Sequence, residues 1–227
     1  MKPILFNTEM VRAILDGRKT VTRRTVSQGK SNPLYHNREK FYGVVDHLND
    51  DYKNWYAGFY NDNDIFCGAT GGRHIDAIYF KAPYKVNDIL YVRETWCGLP
   101  VTANGHMRGH DIYYYKADGD HRPVGWRGNW RPSIHMPREA ARIFLKVTGV
   151  RVERLWDITE SQAVKEGFAD DTEYCVGNSA RGHFKELWDT TIKADQLQYY
   201  GWNANPYVWV IEFEVINKAA ALKEVQP

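Results

Sequence analysis

Short apolar runs with the composition of β-strands are scattered along this chain, and they constrain its fold more than any other feature. They lie at residues 3–6, 21–26, 78–80, 89–96, 111–116, 142–155 and 207–215. Apolar residues with helical spacing occupy only short segments between these runs, without the regular strand–helix alternation of a parallel α/β sheet. The pattern therefore predicts an α+β fold, a small β-barrel with peripheral helices.

Capping residues locate the predicted helices. Asn7 or Thr8 is placed to begin a first helix, and Ser179 a third. Thr159 and Gln162 have the spacing of a capping box, which predicts a short helix directly after Thr159. A glycine follows the first two segments, as expected where the chain leaves a helix in a left-handed conformation.

The sequence predicts a single domain over residues 1–227 with one long insertion. Residues 27–75 are rich in Asn, Asp, Gly, Tyr and His and show no lasting periodicity, which is typical of an irregular subdomain. Residues 98–110 are predicted to form a loop. Gly149 is predicted to mark a bulge or bend within the strand run that contains it.

Composition excludes several classes of protein. Hydrophobic residues make up 43% of the 227 residues and aromatic residues 14%, enough for a sizeable core rather than a disordered chain. The mean hydropathy is −0.58, and neither a membrane-spanning run nor a signal peptide is visible. Cys67, Cys97 and Cys175 are odd in number and widely spaced, which argues against a disulfide scaffold. These features predict a cytoplasmic protein without a membrane partner.

The net charge of +2 conceals an uneven distribution of charge. Residues 1–40 and 122–154 are strongly basic, whereas residues 41–80 carry an excess of Asp. Two basic stretches in a nearly neutral chain indicate either a local anion-binding face or the solvated faces of ordinary elements.

The densest polar cluster is the segment 17–24, which has the sequence Gly-Arg-Lys-Thr-Val-Thr-Arg-Arg. If the part after Lys19 is extended, Thr20, Thr22 and Arg24 share one face and Arg23 lies on the other. A threonine hydroxyl becomes a nucleophile when an adjacent base, such as a lysine amine, takes its proton. The segment is therefore either a catalytic cluster or a solvated basic turn. The common signatures HExxH, GxGxxG, GxSxG and the P-loop are absent.

The pattern Gly17-x-Lys19-x-x-Thr22-x-Arg24 resembles the signature of the ASCH domain superfamily, which is related to PUA-like RNA-binding barrels. The commonest form of that signature has Glu in place of Thr22. The threonine form is similar to the branch that includes bacterial N(4)-acetylcytidine amidohydrolases. Further resemblance lies in segments 87–96, 130–137 and 203–209, the last two being similar to longer ASCH proteins of tailed phages and prophages.

The resemblance implies a catalytic set of Lys19, Thr22 and Glu166, with Glu160 as the alternative glutamate. It requires no metal and no organic cofactor. The implied partner is a modified nucleoside or a nucleic acid. The residues expected to contact it are Arg24, Arg93, Glu94, Trp96, Asn205 and Tyr207.

Two classes of function follow from these residues. The first is an amidohydrolase that removes an acyl group from a modified nucleobase or nucleoside. The second is a non-catalytic PUA-like module that binds RNA or DNA, with basic residues on phosphates and aromatic rings on bases. A nuclease that uses the same pocket is a third possibility. The sequence leaves the oligomeric state open, as well as the choice between a role in the host and one in a phage.

Overall fold

A computed structural model of the chain describes residues 1–26, 39–45, 56–61, 78–103, 106–123, 128–168 and 179–224. The chain folds into two compact units, each assembled from separate segments of the sequence. The first unit comprises Met1–Thr20, Asn87–Lys146 and Phe213–Pro227, and the second comprises Val21–Val86 and Val147–Glu212.

Strands and helices both contribute to the described part of the chain. The strands are β1 (Lys2–Leu5), β2 (Val21–Thr25), β3 (Glu39–Val45), β4 (Tyr56–Asn61), β5 (Ile78–Lys81), β6 (Ile89–Arg93), β7 (Trp96–Ala103), β8 (His106–Tyr115), β9 (Phe144–Arg154) and β10 (Tyr207–Ile216). The α-helices are α1 (Thr8–Leu15), α2 (Glu160–Lys165), α3 (Ala180–Thr191), α4 (Leu197–Tyr200) and α5 (Lys218–Lys223). The predicted combination of strands and helices is confirmed.

The strands form three sheets. A five-stranded mixed sheet has the order β1-β6-β9-β10-β2, in which β1 pairs with β6 in parallel and β6 pairs with β9 antiparallel. Strands β10 and β2 are antiparallel, with Ile211 opposite Thr22 and Val210 opposite Arg23. Strands β3, β4 and β5 form a three-stranded sheet, and β7 pairs with β8.

The predicted helix caps are confirmed. The Asn7 side chain accepts a hydrogen bond from the backbone of α1, and the Ser179 side chain accepts one from α3. Both bonds of the capping box between Thr159 and Gln162 are present. The glycines after α1 and α2 have φ angles of 75° and 101°, which a residue with a Cβ rarely adopts.

Two predictions of irregular structure were wrong in part. Residues 98–103 and 106–110 do not form a loop, because they belong to the antiparallel strands β7 and β8, whose register shifts around Pro100 and hides the alternation. Within 27–75, residues 39–45 and 56–61 are the strands β3 and β4, with a register shift between Phe41 and Gly43. The rest of that segment lies outside the described residues.

Gly149 lies inside β9, where the side chain of Glu212 comes too close to its backbone for a residue with a Cβ. A Cβ at this position would stand 2.8 Å from Oε2 of Glu212. The glycine therefore leaves room for this glutamate on the neighbouring strand.

Each unit has its own apolar core. In the first unit the buried core residues are Ile89, Trp96, Met136, Ala140, Ala141, Phe144 and Ala221. In the second they are Val21, Leu155, Ile158, Ala163, Ala180, Phe184, Trp188, Trp202, Val208 and Val210. Cys97 is a buried free thiol, whereas Cys67 and Cys175 lie outside the described residues. Within the described ranges, no helix has the length and apolar character that a bilayer span requires.

Candidate functional site

Lys19 is fixed by the turn that ends α1. Gly17 takes the left-handed conformation, and the backbone N–H of Lys19 then donates to the carbonyl of Ala13 at 2.9 Å. The side chain of Lys19 is buried, with its residue only 2% exposed and its Nζ 5.5 Å from the ring centre of Phe6. A lysine in this position is not the solvated basic turn that the sequence left open.

Thr22 and Arg23 are successive residues of β2, and both are buried. Pairing with β10 fixes their backbone, so alternation sends the two side chains to opposite faces of the strand. Arg23 lies on the same face as Val21, which belongs to the core of the second unit. The strand therefore carries a hydroxyl on one face and a buried guanidinium on the other.

Glu166 reaches the signature strand from the far end of α2. It is the C-cap residue of that helix and is 3% exposed. Its Oε1 accepts a hydrogen bond from Nη1 of Arg23 at 3.1 Å, across 143 residues of sequence. The fold thus brings the glutamate implied by the resemblance into direct contact with the residue next to Thr22.

Arg24 retains solvent access although protein surrounds its charged group. The residue is exposed. Burial of the guanidinium nevertheless lowers the pKa of Arg24, while the charges of Tyr84 and Glu166 act in the opposite direction. The guanidinium is therefore close enough to Glu166 for their charges to interact.

The alternative glutamate, Glu160, has a different task. Its Oε2 accepts a hydrogen bond from the backbone N–H of Arg181 in the first turn of α3 at 3.0 Å. The negative charge of the carboxylate also interacts favourably with the positive, N-terminal end of the α3 dipole. The structure therefore gives Glu160 a role in the start of α3 and joins Glu166, not Glu160, to β2.

The predicted catalytic residues are among the buried polar side chains of the described part of the chain. Among the described residues, the buried polar or charged ones are Lys19, Thr22, Arg23, Glu94 and Glu166. All three residues of the implied catalytic set are in this group. Burial of such groups costs free energy unless they are bonded. Lys19 belongs to the first unit, and Thr22 and Glu166 belong to the second.

Three of the predicted substrate contacts lie in the first unit, where protein groups already engage them. Arg93 donates from Nε to the carbonyl of Met136 at 2.8 Å. Both carboxylate oxygens of Glu94 accept hydrogen bonds from Arg142, at 2.9 and 3.1 Å. Trp96 is a core residue, and its backbone pairs with that of Arg131.

Asn205 and Tyr207 lie in the second unit, as Arg24 does, and both contact Arg154. The guanidinium of Arg154 stacks 3.8 Å from the ring centre of Tyr207 and donates to the Asn205 carbonyl. Oδ1 of Asn205 accepts a hydrogen bond from the backbone N–H of Trp156 at 2.8 Å. Asn205 has a φ of 47°, so it also provides a left-handed turn before β10.

Replacement of Asn205 separates its two structural contributions. Asn205→Ala is expected to lower the free energy of unfolding by about 2 kcal/mol, since it adds left-handed strain and removes a hydrogen bond. Asn205→Gly removes only the bond and should cost about 1 kcal/mol. Urea unfolding of the two variants measures the difference. Equal losses would show that the backbone conformation contributes nothing.

Sequence reasoning missed the partners that hold Glu166 and Glu94. Strand alternation puts Arg23 on the face opposite Thr22, and the sequence shows Arg142 only as part of a basic stretch and as the start of a strand run. One signal was available for Arg23, a charged residue at the strand position that follows a core valine on the same face. No local pattern identifies Arg142, because its partner lies 48 residues earlier.

Comparison with family models, with curated proteins and with solved structures gives no match to this chain. The likeness to ASCH domains therefore stays a prediction from the motif residues. In the part of the chain that the structure describes, no group of three His, Cys, Asp or Glu side chains is arranged to hold a metal ion.

Proposed function

We propose that this protein is an amidohydrolase that removes an acyl group from a modified nucleobase or nucleoside of the N(4)-acetylcytidine type. The observation that carries the proposal is the contact between Glu166 and Arg23, which ties the implied glutamate to the strand of Thr22. The burial of Lys19, Thr22 and Glu166 adds to it.

The chemistry needs no group beyond side chains and water. Lys19 takes the proton of the Thr22 hydroxyl, whose oxygen bonds to the acyl carbon. The bond from this carbon to the exocyclic amine then breaks, and the amine leaves with a proton from Lys19 or Glu166. Water hydrolyses the acyl-threonine ester, which releases the acid and restores the hydroxyl. The three peptide units between Lys19 and Thr22 keep their Cα atoms within about 11 Å of each other.

Arg24 suits an anionic group of the substrate or of the reaction. Its charge interacts with that of Glu166, and the residue is exposed. In the proposed reaction it stabilises the oxyanion that forms on the acyl carbonyl, or a phosphate of the substrate. We propose further that the five-stranded sheet belongs to a PUA-like barrel and that the protein acts in the cytoplasm.

A second candidate is binding of RNA or DNA without catalysis. It is favoured by Trp156, which is 46% exposed although its ring N–H is fixed to the carbonyl of Trp202 at 2.7 Å. A rigid exposed indole provides a surface on which a base can stack.

A chromatographic assay with N(4)-acetylcytidine separates the two candidates. The purified protein is expected to release cytidine and acetate. Thr22→Val protein, purified identically, controls for a contaminating hydrolase, because it keeps the shape of the side chain and loses only the hydroxyl. If folded wild-type protein releases no cytidine and instead binds a labelled oligonucleotide in a salt-dependent way, the binding module is the better account.

A further inference from the structure

Arg23 occupies a position where an apolar residue is expected. It follows Val21 on the core face of β2, and its side chain is 0% exposed. Its guanidinium lies 6.0 Å from the ring centre of Phe184, another residue of the same core. A charge in such surroundings needs several bonded partners to offset the loss of its hydration.

The guanidinium binds three side chains. Nη1 donates to Oε1 of Glu166, while Nη2 donates to Oε2 of Glu153 and to Oε1 of Gln162, each at 3.1 Å. Glu153 is also bonded to Arg151, which in turn contacts Glu212. The buried arginine is thus the inner end of a chain of ion pairs that reaches the exposed side of β9 and β10.

Two of these partners lie at opposite ends of α2. Gln162 is the capping-box residue of the first turn, and the oxygen that accepts from Arg23 also accepts from the backbone of Thr159. Glu166 is the C-cap of the same helix. A helix of six residues has little stability of its own. One guanidinium therefore fixes both ends of the element that carries Glu166.

Stability alone does not explain an arginine here. A buried ion pair is often no more stabilising than apolar side chains of similar volume, because desolvation cancels much of the attraction. What a guanidinium provides and an apolar side chain lacks is a fixed direction for each carboxylate oxygen that it binds. The contribution of Arg23 is therefore the orientation of the carboxylates that it binds, more than a gain in net stability.

We infer that Arg23 is a positioning residue that holds the Glu166 carboxylate in place for the reaction. This inference rests on the proposed amidohydrolase activity. Arg23 acts through Glu166 and through the short helix α2, and it does not itself contact the substrate. Loss of this restraint shifts a catalytic group by a small distance, which is enough to slow a reaction by about 100-fold.

The test compares Arg23→Met, Arg23→Lys and the control Arg151→Met, which breaks contacts to Glu153 and Glu212 but none to Glu166. For Arg23→Met, kcat on N(4)-acetylcytidine is expected to fall by about 100-fold with little change in KM. Arg23→Lys should recover part of the loss, and Arg151→Met should retain wild-type kcat. Folded Arg23→Met protein with wild-type kcat would overturn the inference, as would equal losses in Arg23→Met and Arg151→Met.

A second readout does not depend on activity. The backbone N–H groups of Ala163, Glu166 and Gly167 are hydrogen-bonded within α2 and its end. Their hydrogen exchange should accelerate in Arg23→Met and not in Arg151→Met. If the wild-type protein is inactive but this acceleration occurs, the proposed function fails and the positioning of Glu166 by Arg23 stands. Unchanged exchange in Arg23→Met overturns the positioning whatever the activity.

Discussion

Arg142→Met is expected to lower the free energy of unfolding by about 3 to 5 kcal/mol, because it removes the cation that pairs with a buried carboxylate. Glu94 is 1% exposed on its side chain, and Arg142 binds both of its oxygens. The same guanidinium also binds Asp118 and lies 4.0 Å from the ring centre of Tyr115. Without Arg142, the two carboxylates lose the cation between them. Urea unfolding followed by circular dichroism measures the loss.

Lys2→Met is the matched control for that substitution. It also removes a cation from an ion pair of the first unit, since Nζ of Lys2 lies 2.6 Å from Asp88. The side chain of Lys2 is 46% exposed and that of Asp88 is 13% exposed, against 1% for Glu94, so solvent reaches this pair and the expected cost is about 1 kcal/mol. Equal losses in the two variants would contradict the distinction between a buried and an exposed pair.

The dependence of stability on pH tests the same cluster, because ionisation of the buried Glu94 destabilises the folded state. Burial raises the pKa of Glu94 above its ordinary value of 4.5, the bonds from Arg142 act against this, and the charge of Asp118 adds to it. The folded state therefore holds this proton more tightly than the unfolded chain. The contribution of Glu94 to stability is greatest below pH 4.5 and declines as the pH rises through the folded-state pKa.

Comparison with Glu94→Gln isolates this titration. As the pH rises from below 4.5 through the folded-state pKa of Glu94, the free energy of unfolding of the wild-type protein should decrease relative to that of the variant. At higher pH the difference should become constant. The cost of Arg142→Met should also shrink in acid, because a protonated Glu94 no longer needs a cation. A cost that grows as the pH falls would show that Glu94 is not the group left unpaired.

The sequence predicts local structure in this protein better than it predicts long-range partners. Caps depend on residues a few positions apart, so the starts of α1, α2 and α3 could be read from Asn7, Thr159 and Ser179. The hairpin of β7 and β8 could not, because shifts of register around Pro100 break the alternation on which a strand prediction depends.

The same limit applies to the candidate site. The resemblance of the motif implies Lys19 and Thr22, and the capping box indicates a short helix that ends near Glu166. What no local pattern predicts is that Arg23 meets Glu166 across 143 residues, since strand pairing and helix packing together decide it. The resemblance supplied the glutamate, and the fold supplied the arginine that binds it.

Thr22→Val and Lys19→Met are each expected to lower kcat/KM for N(4)-acetylcytidine by at least about 1000-fold. Thr22→Val removes the proposed nucleophile and preserves the volume of a side chain that is 2% exposed. Lys19→Met removes the proposed base and keeps the length of the chain past Phe6. Because base and nucleophile act as one unit, the double variant should be no slower than the slower single variant.

Thr20→Val is the matched control for the loss of a hydroxyl. Thr20 lies directly before β2 and is exposed, so its replacement should leave kcat/KM unchanged. Mass spectrometry of quenched reactions gives the direct readout, an acetyl group on the peptide that contains Thr22. Additive losses in the double variant would mean that Lys19 and Thr22 act independently. Full activity of Thr22→Val would show that water, and not the threonine oxygen, attacks the acyl carbon.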